Sequence, residues 1–533
     1  MISRRMFTAG TAAALAAPLA APLAAPSIAR GAASDVLKFI PQSDLTILDP
    51  VVNTVYTARN HGYMVFDTLF GMDNDTKMRP QMLEGFTVED DGKRWVLKLR
   101  DGLLWHDGEK VLARDCVASI ARWSVRDGVG SLLKARTEEM KVVDDKTFEI
   151  RLKKPFSLLP YAMGKISTPM CAMMPERLAK TDPFKAVTEM VGSGPFRFKA
   201  DEWVSGARAV YTKNDRYVPR QDISTGWTAG GKIVHFERVE WHTSPDDGTS
   251  ASAMQAGEMD WWELPVADLL PLLRRSGKVR VEIKDRNGTM GMLKMNNLQP
   301  PFNNPAIRRA LLSAVSQKDF MTAIVGDDPE MLRTGVGIFT PGTDMGNEAG
   351  MEVLNSPRDM AHARAMLKEA GYNGEQTVLL APNEPHYRKA MADVTQGMLR
   401  TLGFNLDIQS MDWGTAIVRR EIKQPVDKGG WSALCTTANG LDMQTPTLHF
   451  LRTNGEKAWF GWTDSPKIEE LRAAWVDAPT LDARKAVAVE IQKQCWIDVP
   501  HIPLGIWYQP MAWRNTIDGI PNGFPLFWGA RRV

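Results

Sequence analysis

Residues Thr289 to Val315 read TMGMLKMNNLQPPFNNPAIRRALLSAV, and the fold turns on how this stretch is divided. Thr289 to Asn296 has the character of a strand. A loop rich in Pro and Asn follows, and then an amphipathic helix with Asn304 as its cap and Pro305 at its first position. Ile307, Ala310, Leu311, Ala314 and Val315 recur at i, i+3, i+4, i+7 and i+8, which is one apolar helix face. Upstream the chain carries hairpin-like segments in mixed order. Downstream, helices and strands alternate regularly. The stretch therefore marks a crossing from one lobe to another, and the space between the lobes is where function is expected.

At 533 residues the chain exceeds what one hydrophobic core holds, so two or three domains are expected. The formal charge is +2, and it becomes −1 without Arg4, Arg5 and Arg30. A body so near neutrality gives no support to nucleic-acid binding or to a polybasic membrane surface.

Those three arginines belong to a segment, residues 1–33, that reads as an export signal. Ser3-Arg4-Arg5-Met6-Phe7 precedes an uncharged run, Thr11 to Ala25, of Ala, Leu and Pro. A membrane-spanning helix needs about 20 apolar residues; this run is shorter and is broken at Pro18 and Pro22. A charged start, a short apolar centre and small residues before Ser34 make a secretory signal, and the paired arginines followed by Phe look like the twin-arginine type. Export with a free mature form places the protein in the periplasm, with no direct membrane insertion. Cys116, Cys171, Cys435 and Cys495 form no C-x-x-C pair, and buried thiols are expected, with a single disulfide left open.

Residues 53–70 read mostly as helix and gather Tyr56, Asn60, His61 and Tyr63 near a strand end. The segment Glu84 to Trp123, EGFTVEDDGKRWVLKLRDGLLWHDGEKVLARDCVASIARW, is the most specific in the chain. Trp95, Leu97 and Leu99 alternate as a strand, Asp101-Gly102 and Asp107-Gly108 signal turns, and a helix follows with Cys116, Ile120 and Trp123 near one face. Phe148, Ile150 and Leu152 alternate as a further strand.

Downstream of the crossing, Ser356 reads as the cap of a helix, with Pro357 in its first turn, Asp359 in the capping-box position and Gly371 at its end. A strand (Thr377 to Ala381), a helix to Leu402, a strand through Phe404, Leu406 and Ile408, a helix from Trp413 and a strand from Trp431 to Cys435 follow. Such alternation builds a parallel or mixed sheet, whose ligands sit beyond the carboxyl ends of the strands. Two segments lie there, Pro382-Asn383-Glu384-Pro385 and Thr436 to Asp442 (TTANGLD). They supply Asn383, Glu384, Asn439 and Asp442 as candidate ligand contacts, and Tyr56, Trp413 and Trp431 are candidate aromatic walls.

The Glu84–Trp123 pattern resembles the signature of the extracytoplasmic solute-binding proteins of peptide and nickel ABC importers, solute-binding family 5. Four further pieces agree in order: Val191-Gly192-Ser193-Gly194-Pro195-Phe196, the run from Met254 to Asp260, Pro300-Pro301-Phe302 with Ile307-Arg308-Arg309-Ala310, and AMLKEAGY ending at Tyr372. The resemblance implies a two-lobed α/β periplasmic-binding-protein fold, type II, with an extra subdomain in lobe I. Lobe I would comprise 34–77, 194–290 and 506–533, the inserted subdomain 78–193, and lobe II 291–505, with the return crossing near Pro503 to Tyr508.

It also implies a monomer that takes a small-molecule or peptide ligand and delivers it to an inner-membrane ABC permease complex, without a cofactor. Asp442 falls where relatives pair an Asp with a peptide's amino group. No Arg lies between Asn383 and His386, where the dipeptide-binding relative places one for the carboxylate. Two acids without an Arg favour a peptide-like or amine-bearing solute lacking a carboxylate anchor.

No catalytic or metal motif competes with this. Ser131-Leu132-Leu133-Lys134 has S-x-x-K spacing but lacks the S-D-N and K-T-G companions. There is no G-x-S-x-G, and no H-E-x-x-H among the eight histidines. The other readings are an exported peptide or amide hydrolase, and a periplasmic sensor or chaperone using the same cleft.

Overall fold

A computed structural model describes residues 35–222, 226–355 and 358–533. The signal-like segment and Ser356-Pro357 lie outside the described residues.

Three principal sheets organise the chain. The first has seven strands in the order Val279–Glu282, Met511–Arg514, Trp261–Trp262, Val36–Ile40, Arg238–His242, Arg208–Lys213 and Phe196–Phe198. Val36–Ile40 runs parallel to both its neighbours. Phe39, Trp241, Trp261 and Phe527 pack edge-to-face and tilted at its centre, the arrangement aromatic quadrupoles favour.

The second sheet has six strands: Leu332–Arg333, Ile502–Trp507, Thr289–Met295, Ala433–Asn439, Gln376–Pro382 and Asn405–Met411. It is mixed: Gln376–Pro382 is parallel to the strands on either side, and Thr289–Met295 is antiparallel to both of its own neighbours. Met290 and Met292 point into one buried cluster with Ala438 and Ile506, and Leu293 and Met295 into another. Burial on both faces explains the near-continuous apolar run. Gly291 fits closely here: a Cβ would lie 2.9 Å from Met391 Sδ and 3.3 Å from Leu504 Cβ, so a larger residue would displace the Met391 side chain.

Thr289 pairs with Trp507 on one side and with Asn439 on the other. The two strands expected to contain the crossings therefore lie wholly within the second sheet. Pairing along both edges requires this, and the chain passes between the large sheets just outside them, at 283–288 and 508–510.

The third sheet is antiparallel, in the order Leu83–Glu89, Arg94–Leu99, Thr147–Leu152 and Thr137–Val142. Trp95, Leu97, Phe148 and Ile150 pack on Cys116, Ile120 and Trp123 of the helix Ala113–Arg126. All four cysteines are buried and free.

Several boundaries differ from expectation. The helix Pro305–Leu312 starts as read, with Asn304 Oδ1 accepting from Ala306 N at 2.9 Å, but it ends early because Ser316 caps a second helix, Gln317–Val325. Ala314 and Val315 remain buried in the joint. The helix expected over 53–70 is Tyr56–Val65, and Phe70 opens a short strand. Asp359 is itself the cap of Met360–Glu369, accepting from His362 N. The strand expected from Trp431 runs Ala433–Asn439, so half of the TTANGLD segment is strand. Among the described residues no helix is long and apolar enough to cross a membrane.

Candidate functional site

The site lies where the carboxyl ends of strands in the two large sheets face each other. From the first sheet, Val36–Ile40 leads to Gln42, Trp261–Trp262 leads to Glu263, and the helix Tyr56–Val65 stands over both. Glu263, nearly fully buried, accepts from Gln42 N at 2.7 Å, Gln42 Nε2 at 2.8 Å and Asn60 Nδ2 at 3.2 Å. Burial raises its carboxyl to about 7 against the pull of these donors and of Arg59. Arg59 lies one turn on from Tyr56. Its guanidinium lies 3.7 Å from the Phe524 ring centroid and 4.7 Å from that of Tyr56, and donates to Asn60 Oδ1.

From the second sheet, the strand Ala433–Asn439 leads to the turn Asp442–Gln444. Tyr56 donates its hydroxyl to Asp442 Oδ2 at 2.9 Å, and Asn439 N donates to the same hydroxyl at 3.2 Å. The Asn439 side chain donates to Asp285 Oδ2 at 3.1 Å, in the segment between the sheets, and accepts from Leu441 N. Three of the sequence-predicted residues, Tyr56, Asn439 and Asp442, are thus one hydrogen-bonded unit. Burial pushes the Asp442 carboxyl above its ordinary range, with the Tyr56 hydrogen bond, Arg59 and Lys165 pulling it down. The phenol of Tyr56 is held far above its usual value by burial and by the Asp442 charge.

The other expected residues divide. Asn383 and Glu384 are exposed on the loop after Gln376–Pro382, fixed by Asn383 N donating to Met411 O. Trp413 is half-buried and lies under the Arg388 guanidinium at 3.5 Å from its ring centroid. Trp431 is not a cleft wall. It is fully buried among Val378, Leu380, Leu434 and Trp462, with its indole N–H on Arg420 O at 3.1 Å, because its place just before the strand turns it into the core. His449, the one histidine near Asp442 in sequence, is half-buried against Phe450 and Trp459, and desolvation lowers it to about 3.

The expectation of an acid-rich cleft without arginine is corrected. Arg388, four residues beyond Glu384 and third in the helix His386–Leu402, is buried beside the cleft, and Arg59 faces Asp442 from the other side. The signal was available. A cation in the first turn of a helix that follows a parallel strand sits at the ligand end of the sheet, and Arg388 lies two residues beyond His386, within that turn. Among the described residues no group of three His, Cys, Asp or Glu could hold a metal ion.

Beyond the cleft, Arg136 pairs with Asp477, Arg484 Nη1 donates to Ser157 Oγ at 2.9 Å, and Tyr161 OH meets Thr445 Oγ1 at 3.5 Å. The small-sheet region therefore touches the helices Pro466–Asp477 and Leu481–Asp498 directly.

The family model for bacterial extracellular solute-binding proteins, family 5, matches residues 77–456. A Sinorhizobium fredii protein named "Probable peptide ABC transporter periplasmic-binding protein y4tO" is 37% identical over 537 residues, covering 100% of each chain. Among solved structures, Helicobacter pylori DppA with the peptide STSA superposes at TM-score 0.76 and 19% identity, covering 93% of this chain and 98% of that one. AgaA of A. tumefaciens R10 with agropinic acid superposes at 0.75 and 20% identity, covering 93% and 99%. These structures share the two-lobed α/β fold seen here. With the model matched over most of its length and a relative matched end to end, this chain belongs to family 5 of the bacterial extracellular solute-binding proteins.

Proposed function

We propose that this chain is the substrate-binding component of an ABC importer. It is exported to the periplasm by the twin-arginine route and captures a peptide-like solute between two lobes. It then delivers the solute to an inner-membrane permease, acting as a monomer and making no covalent change in the solute. The name of the Sinorhizobium relative supports periplasmic peptide import, and the paired Arg4-Arg5 supports the export route. The observation that carries the reading is the Tyr56–Asp442–Asn439 unit, which joins the start of the helix Tyr56–Val65 to the carboxyl end of a strand of the second sheet.

In this reading the seven-stranded sheet and its surroundings, 35–77, 194–282 and 511–533, make lobe I, residues 78–193 are its inserted subdomain, and 289–507 are lobe II. The crossings at 283–288 and 508–510 are the hinges. Asp442 receives the solute's amino group and Arg59 or Arg388 its anionic group. Trp413 forms a wall, and Asn383 and Glu384 stand at the rim. Closure needs only that the solute bind the closed form better than the open one.

Mass spectrometry of solute released from protein purified natively from the periplasm tests the proposal. A zwitterionic peptide-like compound in stoichiometric amount supports it. An empty protein that binds no member of a di- to pentapeptide library contradicts it.

A further inference from the structure

Three buried cations of this chain are ion-paired. Arg122 meets Asp49 at 2.7 Å, Lys165 meets Asp127 at 2.7 Å and Lys232 meets Asp67 at 2.7 Å, all within the interior. Arg308 is satisfied by the carbonyls of Phe302 and Asp498. Arg388, beside the cleft, has no carboxylate partner among the described residues and two unmet donors. It is 8% exposed, its Nη2 reaches Thr437 Oγ1 only at 3.4 Å, and its Nε and Nη1 have no partner among the described residues.

A second guanidinium shares its surroundings. Arg420, which ends the helix Trp413–Arg419, lies 5.8 Å from the centroid of the same Trp413 ring, 4.5 Å from Phe460 and 5.5 Å from Trp459. Its Nε is likewise buried without a partner. No carboxylate of the described residues comes within 4.0 Å of either guanidinium. Burial weakens the hold of both on their protons; Tyr387 and, across the cleft, Tyr56 oppose this at Arg388, while at Arg420 the Glu421 carboxylate, beyond ion-pair distance, opposes it and the proximity of Arg388 adds to it.

An unpaired buried charge is costly, and two of like sign beside one ring are more so. Aromatic faces hold planar guanidinia and keep water off them, but do not neutralise them. A guanidinium's forked donors fit a carboxylate or a phosphate. One monoanion would leave one arginine uncompensated.

We propose that Arg388 and Arg420, set around Trp413, form a subsite for a doubly anionic group of the solute: two carboxylates on one residue, or a phosphate. The inference rests on the peptide-like reading above and narrows it to acidic solutes. Trp459 and Phe460 lie against Arg420.

Calorimetric titration of unliganded mature protein with Ala-Glu, its isosteric neutral counterpart Ala-Gln, and Ala-phosphoserine tests it. Ala-Glu should bind tighter than Ala-Gln by roughly tenfold or more, the scale of a desolvated charge pair. Arg420→Gln should erase that preference. A preference for Ala-phosphoserine over Ala-Glu assigns the pair to phosphate, and the reverse assigns it to two carboxylates. Equal affinities for Ala-Glu and Ala-Gln, or a preference that survives Arg420→Gln, overturn the inference and leave the peptide reading standing. Failure of every probe to bind removes the peptide reading and this inference with it.

Discussion

Tyr56 and Asp442 are 386 residues apart in sequence, yet the phenol donates to the carboxylate at 2.9 Å from the opposite side of the cleft. The contact explains how a cleft can be selective before it is filled. A solute amine that takes the carboxylate must compete with a neutral donor already placed, and it wins by bringing charge. Removing one partner of a buried charge pair costs roughly 2–5 kcal/mol. Asp442→Asn should therefore weaken binding of the natural solute more than tenfold in calorimetry. Tyr56→Phe should cost much less, since it removes one neutral hydrogen bond, worth about 0.5–1.5 kcal/mol. Equal losses in the two variants would place the amine elsewhere.

Glu263 makes stability depend on pH. Its folded carboxyl is raised from 4.5 to about 7, so between these values the folded protein keeps a proton that the unfolded chain has lost. Stability from this group is thus present in full below its unfolded value and falls as pH rises to about 7, by at most on the order of 3 kcal/mol. Comparing wild type with Glu263→Gln isolates the effect from other carboxylates. The variant should gain relative to wild type in urea midpoints between pH 5 and 8, and parallel profiles would show that Glu263 titrates normally.

The aromatic assignments separate by a pair of variants. Trp431 is fully buried, so Trp431→Ala should destabilise by about 3–5 kcal/mol. Trp413 is half-buried under Arg388, so Trp413→Ala should change affinity far more than melting temperature. A Trp413 variant that melts early but binds normally would return that ring to the core.

Much of the fold was legible because its signals are local. The cap at Asn304, the helix end at Leu402 and the alternation at Trp95, Leu97 and Leu99 act through neighbours in sequence, and each stands where read. The pairing of Tyr56 with Asn439 and Asp442 was legible only as separate candidates. Trp431 was misplaced because a tryptophan near a strand end reads alike whether it faces cleft or core. Arg388 was legible from its place in the first turn after a parallel strand, whereas Glu263 was not, because what marks it is burial without an ion pair, and no spacing in a sequence records that.

The contacts outside the cleft set how readily it opens. Arg136–Asp477 and Arg484–Ser157 join the small-sheet region to the far helices. Exposed pairs of this kind contribute at most about 1 kcal/mol. Asp477→Asn with Arg484→Ala should speed solute release several-fold in stopped-flow fluorescence, with the order of preference among solutes unchanged. A change in preference would mean that these residues touch the solute.

Arg4→Lys with Arg5→Lys tests the export route, since the pair opens an uncharged run with the twin-arginine arrangement. Precursor should accumulate in the cytoplasm. Unchanged periplasmic yield would assign the signal to the general secretion route.

Capture between two hinged lobes is tested most directly by small-angle scattering on the mature protein, stripped of solute and then reloaded with the solute recovered from it. Closure around the Tyr56–Asp442 contact predicts a smaller radius of gyration on reloading and a larger one after stripping. Superimposable curves, with stoichiometric tight binding established by calorimetry on the same samples, would contradict it.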